Sequence, residues 1–102
     1  MTDRELLELA AKAAALPGTW VDGFGYRVDC DEPYFWTPLT DDGDALRLAV
    51  TLGIGMIHHK GWGQVFHPAL GDRRDFYYEG DPYAATRCAV VRAAAEIGRA
   101  MK

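Results

Sequence analysis

The side chains best suited to recognising a ligand stand at three places in the text. Lys60 and Trp62 share the turn "KGWG", Arg73 and Arg74 open "RRDFYYE" with Tyr77 and Tyr78 close behind, and Trp36 ends the aromatic run "YFW". Guanidinium forks bind phosphate oxygens and aromatic faces stack on planar bases, so this mixture suits a phosphate-bearing nucleotide. Trp, Tyr and Arg are also the usual anchors of protein interfaces, so the set describes a protein-contact patch equally well. The plainer assignment puts Trp36, Phe66 and Phe76 in the core and leaves Arg73 and Arg74 solvated.

Other chemistry is poorly supplied. Asp41, Asp42 and Asp44 crowd four positions, but a calcium loop needs oxygen ligands over about twelve residues with a closing glutamate, and "ALRLAV" follows at once. Helix capping accounts for these carboxylates better than metal binding. His58 and His59 are adjacent, so in a strand they point to opposite faces and cannot share a metal. A hairpin loop over 60–63 sets residue 56 opposite 67 and makes His58 and His67 a diagonal pair, and a slip of one residue makes His59 the neighbour instead. Either way only two ligands meet, where a catalytic zinc wants three. Serine is absent from the chain, and no "GxSxG", "HExxH", "GxxxxGK[ST]" or paired "CxxC" occurs. Cys30 or Cys88 with a histidine could form a dyad, yet nothing marks either thiol as activated. No enzyme, metal or cofactor is expected, and a small hydrolase or metalloprotein is the least favoured alternative.

The elements that must position these groups are legible from their punctuation. Thr2 and Glu5 form a capping box before an apolar series from Leu6 to Ala14, and "LPG" at 16–18 ends that helix. "DGFG" at 22–25 joins strand text in which Tyr26, Val28 and Cys30 alternate with Arg27 and Asp29. "PYFW" lies between Pro33 and Pro38, which predicts an edge strand or an ordered loop. A second helix starts at Thr40 or Asp41, is apolar over most of its circumference and ends at Gly53, so it is expected to pack hard against a sheet. "IGMIHH", "GQVFH" and "RRDFYYE" predict three short strands, and apolar residues on both parities predict a sheet buried on both faces. Asp81 and Pro82 start a last helix whose core stripe is Val90, Val91, Ala94, Ile97 and Met101. "ALRLAV" at 45–50 and "ATRCAV" at 85–90 share A-x-R-x-A-V, which we read as two similar amphipathic helices.

Composition narrows the class. A chain of 102 residues is expected to form one domain, 1–102, and 49% hydrophobic residues supply an ordinary globular core. The net charge of −4 argues against binding long nucleic acid or an anionic membrane, which calls for a basic excess. No run approaches a membrane span, the first residues do not read as a signal peptide, and two cysteines, expected to be buried free thiols, make no disulfide framework. A cytosolic protein is expected.

The segments "TDRELLELAAKAA", "WTPLTDDGDALRLAVTLGI" and "GDPYAATRCAVVRAAAEIG", in that order, resemble the small bacteriophage and prophage proteins of the Phage ABA sandwich domain family. The likeness covers nearly the whole chain and is strongest at "W-x-P-L-T-D-D-G-D-A-L-R-L-A" and "D-P-x-x-A-x-R". It implies an α+β fold in which a small antiparallel sheet of about four strands is covered by about three helices, an α/β/α sandwich. It also implies a phage accessory product in the host bacterial cytoplasm, and it transfers no catalytic residue. Two non-enzymatic roles follow as expectations. One is a counter-defence sponge, a homo-oligomer that sequesters a small nucleotide-derived immune signal. The other is an inhibitor that docks on a host defence protein.

Overall fold

The Thr2 hydroxyl accepts the Glu5 amide at 3.2 Å while the Glu5 carboxylate accepts the Thr2 amide at 3.3 Å, closing the expected capping box at the start of α1 (Asp3–Ala13). The Thr2 hydroxyl also donates to the Glu5 carboxylate at 3.0 Å, and this bond first, then the one from the Thr2 amide, holds the Glu5 carboxyl below its ordinary pKa. The computed structural model of the protein describes residues 1–101. After α1 the chain forms a meander of β1 (Gly18–Val21), β2 (Gly25–Val28) and β3 (Tyr34–Trp36), antiparallel in that order. Tyr26 and Val28 point into the core and Arg27 points out, as the alternation predicts. Cys30 lies beyond the strand, exposed, with its thiol donating to the Glu32 carbonyl. The expected burial of that thiol is thus corrected, because the inward alternation stops at Val28.

Asp41 caps α2 (Asp42–Leu52) by accepting the Asp44 amide at 2.8 Å, and Gly53 ends it in the left-handed region at φ 72°. A second meander follows: β4 (Gly55–His58), β5 (Trp62–Phe66), a 3₁₀ turn at Pro68–Leu70, and β6 (Arg74–Tyr77). Asp81 then caps α3 (Pro82–Ala100), with proline in its first turn as predicted.

The α+β class agrees with the sequence, but the expected single sheet of about four strands is corrected: among the described residues six short strands make two three-stranded antiparallel sheets. The physical reason lies in β3, a three-residue edge strand bracketed by Pro33 and Pro38, which ends the first sheet before α2 begins. Each sheet has its own helix: α1 packs on β1 and β2, α3 packs on β5 and β6, and α1 and α3 pack against each other. At that seam Gly98 lies so close to α1 that a Cβ there would stand 2.0 Å from the Leu9 carbonyl oxygen. Buried residues of all three helices and both sheets form one cluster.

Two packing expectations need correction. α2 rests on α3, not on a sheet, and Leu46 and Val50 of its apolar surface are exposed. α3 already covers the sheet face that α2 was expected to occupy. The second sheet is buried on one face only: Val65 is inside, with Met56 and Phe76 packed against the core, whereas Ile57, Trp62 and Phe66 on the other face are half-buried and Tyr77 is exposed. Met101, expected in the α3 stripe, stands exposed past the helix end, while Val90, Val91, Ala94 and Ile97 are buried.

Candidate ligand platform on the outer face of the second sheet

Strand register decides which of the candidate side chains meet. Met56 pairs with Val65 and His58 with Gly63, two residues from the expected 56-to-67 pairing. The loop is therefore tighter: the His59 amide donates to the Trp62 carbonyl at 2.8 Å, leaving only Lys60 and Gly61 between them. Gly61 takes φ 85°, a conformation that suits glycine, which lets the chain reverse in so few residues. Trp62, expected in the turn, is consequently the first residue of β5.

Along β5 and β6 the register sets Trp62 opposite Tyr77 and Gln64 opposite Asp75, and carried one pair further it sets Phe66 opposite Arg73. All six lie on the face away from α3, because directly opposed residues of an antiparallel pair share a face. Two of these pairs interact through their side chains, whereas Trp62 is stacked by its hairpin neighbour. The His59 ring lies on Trp62 with centroids 4.1 Å apart and planes 18° apart, and Tyr77 stands opposite Trp62 by register. The Gln64 amide donates to Asp75 at 3.0 Å. The Arg73 guanidinium lies 5.2 Å from the centre of the Phe66 ring, and that ring lies flat over Gly55, where a Cβ would stand 2.2 Å from it. The result is a shallow platform with an aromatic end and a cationic end, and Lys60 sits exposed in the turn beside the former.

The predicted set is thereby divided. Lys60, Trp62, Arg73 and Tyr77 belong to this platform. Trp36 does not, being 3% exposed in the first sheet with its ring edge-on to Tyr26 at 5.9 Å. Arg74 and Tyr78 turn to the α3 side, since neighbours in a strand alternate. Arg74 pairs there with Glu96 at 2.7 Å, and the Tyr78 hydroxyl is hydrogen-bonded to His58 Nδ1 at 2.9 Å. The histidines are dispersed too: His58 on Tyr78, His59 on Trp62, and His67 as the cap of the 3₁₀ turn, its Nδ1 accepting the Ala69 amide. Among the described residues no three His, Cys, Asp or Glu side chains come together as a metal site.

Comparison with protein-family models, with curated proteins and with solved structures finds no match. The likeness to the Phage ABA sandwich family thus rests on the residue text alone.

Two concavities lie on the α3 side. One, of about 470 Å³, is walled by Leu46, Met56, Tyr78, Tyr83 and Val90 between α2, α3 and β4. The other, of about 660 Å³, runs between β6 and α3 over Phe76, Ala85, Cys88 and Ala89. Sequence reasoning missed the residue that closes off the first, Arg87, which donates to the Leu39 carbonyl at 3.0 Å and pairs with Asp42. The A-x-R-x-A-V echo was its signal. Arg47, the other echoed arginine, pairs with Asp44 at 2.7 Å, so both arginines serve the aspartate cluster. Asp44 Oδ2 also accepts the Thr37 amide at 3.0 Å. Asp41 thus caps α2 and Asp42 and Asp44 stand in its first turn, as the sequence predicts, and the arginine pairings are added by the fold.

Proposed function

We propose that the protein is a non-enzymatic phage accessory protein that binds and sequesters a small nucleotide-derived signal of host defence. The observation that carries this reading is the cross-strand pair Trp62–Tyr77 on the outer face of the second sheet, with Arg73 on the same face and Lys60 exposed in the adjoining turn. Rings held by backbone ladders, Trp62 half-buried and Tyr77 exposed, give a stacking surface that needs little ordering on binding. The flanking cations supply phosphate contacts, and a shallow face of this kind is completed by a second copy. The resemblance in residue text supports the phage context and the host cytoplasm. No helix among the described residues is long and apolar enough to cross a membrane. Titration calorimetry with cyclic dinucleotides and cyclic ADP-ribose isomers tests the reading. Binding that is lost in Trp62→Ala and weakened in Arg73→Ala supports it, and failure of every such nucleotide to bind sinks it.

A second reading, an inhibitor that docks on a host defence protein, is favoured by a separate observation. Phe24 in the first turn and Phe35 at the edge of the first sheet stack at 5.9 Å while 72% and 42% exposed, beside exposed Tyr34. Exposed aromatic pairs of this sort serve as interface anchors. Loss of a stoichiometric host partner from pull-downs with Phe24→Asp would support that role.

A further inference from the structure

The β6 strand ends its sheet with an uncovered edge. The Tyr78 amide donates to the Gly61 carbonyl at 3.2 Å, so in the continuous register the residues opposite Gly61, Gly63 and Val65 bond to β5. Antiparallel alternation then turns the N–H and C=O groups of Asp75 and Tyr77 away from β5. The strand has no proline and no bulge to blunt that edge. Beside it runs the 660 Å³ groove under α3, whose alanines leave space next to half-buried Phe76.

We propose that this edge pairs with β6 of a second copy, antiparallel about Phe76, to form a continuous six-stranded sheet. The sequence of the edge is complementary to itself in that register. Asp75 and Tyr77 of one copy exchange main-chain hydrogen bonds with Tyr77 and Asp75 of the other. Phe76 meets Phe76, and Arg74 falls opposite Tyr78, on the groove side. Arg73 and Glu79 lie just past the two ends of the strand, so the pairing brings opposite charges near each other at each end of the seam, and within the strand no like charges face each other. The two-fold axis passes at Phe76 and makes every contact off it occur twice, the condition for a closed dimer. The seam also brings both outer faces onto one side of the sheet, so two Trp62–Tyr77 pairs and two Arg73 side chains flank it. The pairing stands on β6 alone; its use in holding one ligand between two copies rests on the nucleotide reading above.

Sedimentation velocity and light scattering on the ligand-free full chain test the pairing. A dimer is expected. Tyr77→Pro removes an outward amide without touching the β5 ladder and is expected to leave a folded monomer by circular dichroism. Arg73→Glu and Glu79→Arg each bring like charges together at the ends of the seam and are expected to weaken the dimer about tenfold. The double swap Arg73→Glu with Glu79→Arg is expected to restore it. A monomeric wild-type chain, a dimer indifferent to Tyr77→Pro, or a double swap that fails to rescue would each overturn the pairing. Because nucleotide is absent, the outcomes separate. A dimer that binds no nucleotide keeps the pairing and removes the sponge, and a monomer that binds nucleotide does the reverse.

Discussion

Arg87 of α3 reaches the start of α2, donating to the Leu39 carbonyl with Nε and pairing with Asp42 through its terminal nitrogen. One side chain thereby ties the turn before α2, the first turn of α2 and the body of α3. The two partners are unequal, since Arg87 is mostly buried at 16% exposure whereas Asp42 is 69% exposed.

That inequality sets the first prediction. Arg87→Ala leaves a partly buried carbonyl without its charged donor and is expected to cost about 2 kcal/mol. Asp42→Ala removes only an exposed ion pair and is expected to cost under about 1 kcal/mol. Urea unfolding of both variants checks this, and equal losses would show the ion pair, not the carbonyl bond, to be the tie.

The tryptophans should separate cleanly. Trp36→Ala empties a core site and is expected to cost about 3–5 kcal/mol, enough to unfold much of the population at physiological temperature. Trp62→Ala, on the half-open face, is expected to cost about 1 kcal/mol while abolishing nucleotide binding. Thermal melts beside calorimetric titrations read the two effects, and a severe melt for Trp62→Ala would mean that its role is structural.

Gly98 offers a test in which two effects oppose. Alanine is the better helix former by about 1 kcal/mol. Its methyl group, however, would be driven into the Leu9 backbone of α1, which has no side chain to swing away. Overpacking is expected to win, so Gly98→Ala should destabilise by about 2 kcal/mol net. A gain in stability would show that the two helices can part without loss.

Alkaline pH addresses the first sheet. Burial first, and then the negative charges of Asp29 and Glu8, push the Tyr26 phenol above its ordinary value of 10.0. The folded chain therefore keeps a proton that the unfolded chain gives up. This contribution is complete below pH 10.0 and drains away as pH rises through the folded value. Tyr26→Phe loses the hydrogen bond to the Leu16 carbonyl, at 2.8 Å, and should flatten the alkaline limb of a urea-midpoint profile. An unchanged limb would assign the alkaline loss to other groups.

Local punctuation was the most legible part of the chain. Thr2 with Glu5, Asp41 with Gly53, and Asp81 with Pro82 mark helix ends through hydrogen bonds within a few residues of each other, and all fall where the text predicts. Sheet count was not legible, because whether β3 continues into the next sheet depends on partners far along the chain. Register was illegible for a similar reason: exchanging the loop 60–63 for Lys60–Gly61 moves the pairing by two residues without changing the apolar pattern. Parity survived, so Trp62 and Tyr77 could have been placed on one face, and Arg74 and Tyr78 on the other, had alternation been applied through "RRDFYY". Trp36 was the harder case. Its fate was set by Tyr26, ten residues upstream, and by a core assembled from all three helices.

The seam between α1 and α3 has a consequence for how the molecule comes to be. The helix that begins the chain finds its main partner in the last helix, with Leu9 and Gly98 brought together across nearly the whole sequence. Closing so long a loop is slow and entropically unfavourable until other contacts reward it. During synthesis, then, the side of α1 that α3 covers waits exposed until α3 has emerged, although its other side can already pack on β1 and β2. A chain truncated within α3 would lose the shared wall that joins its two halves.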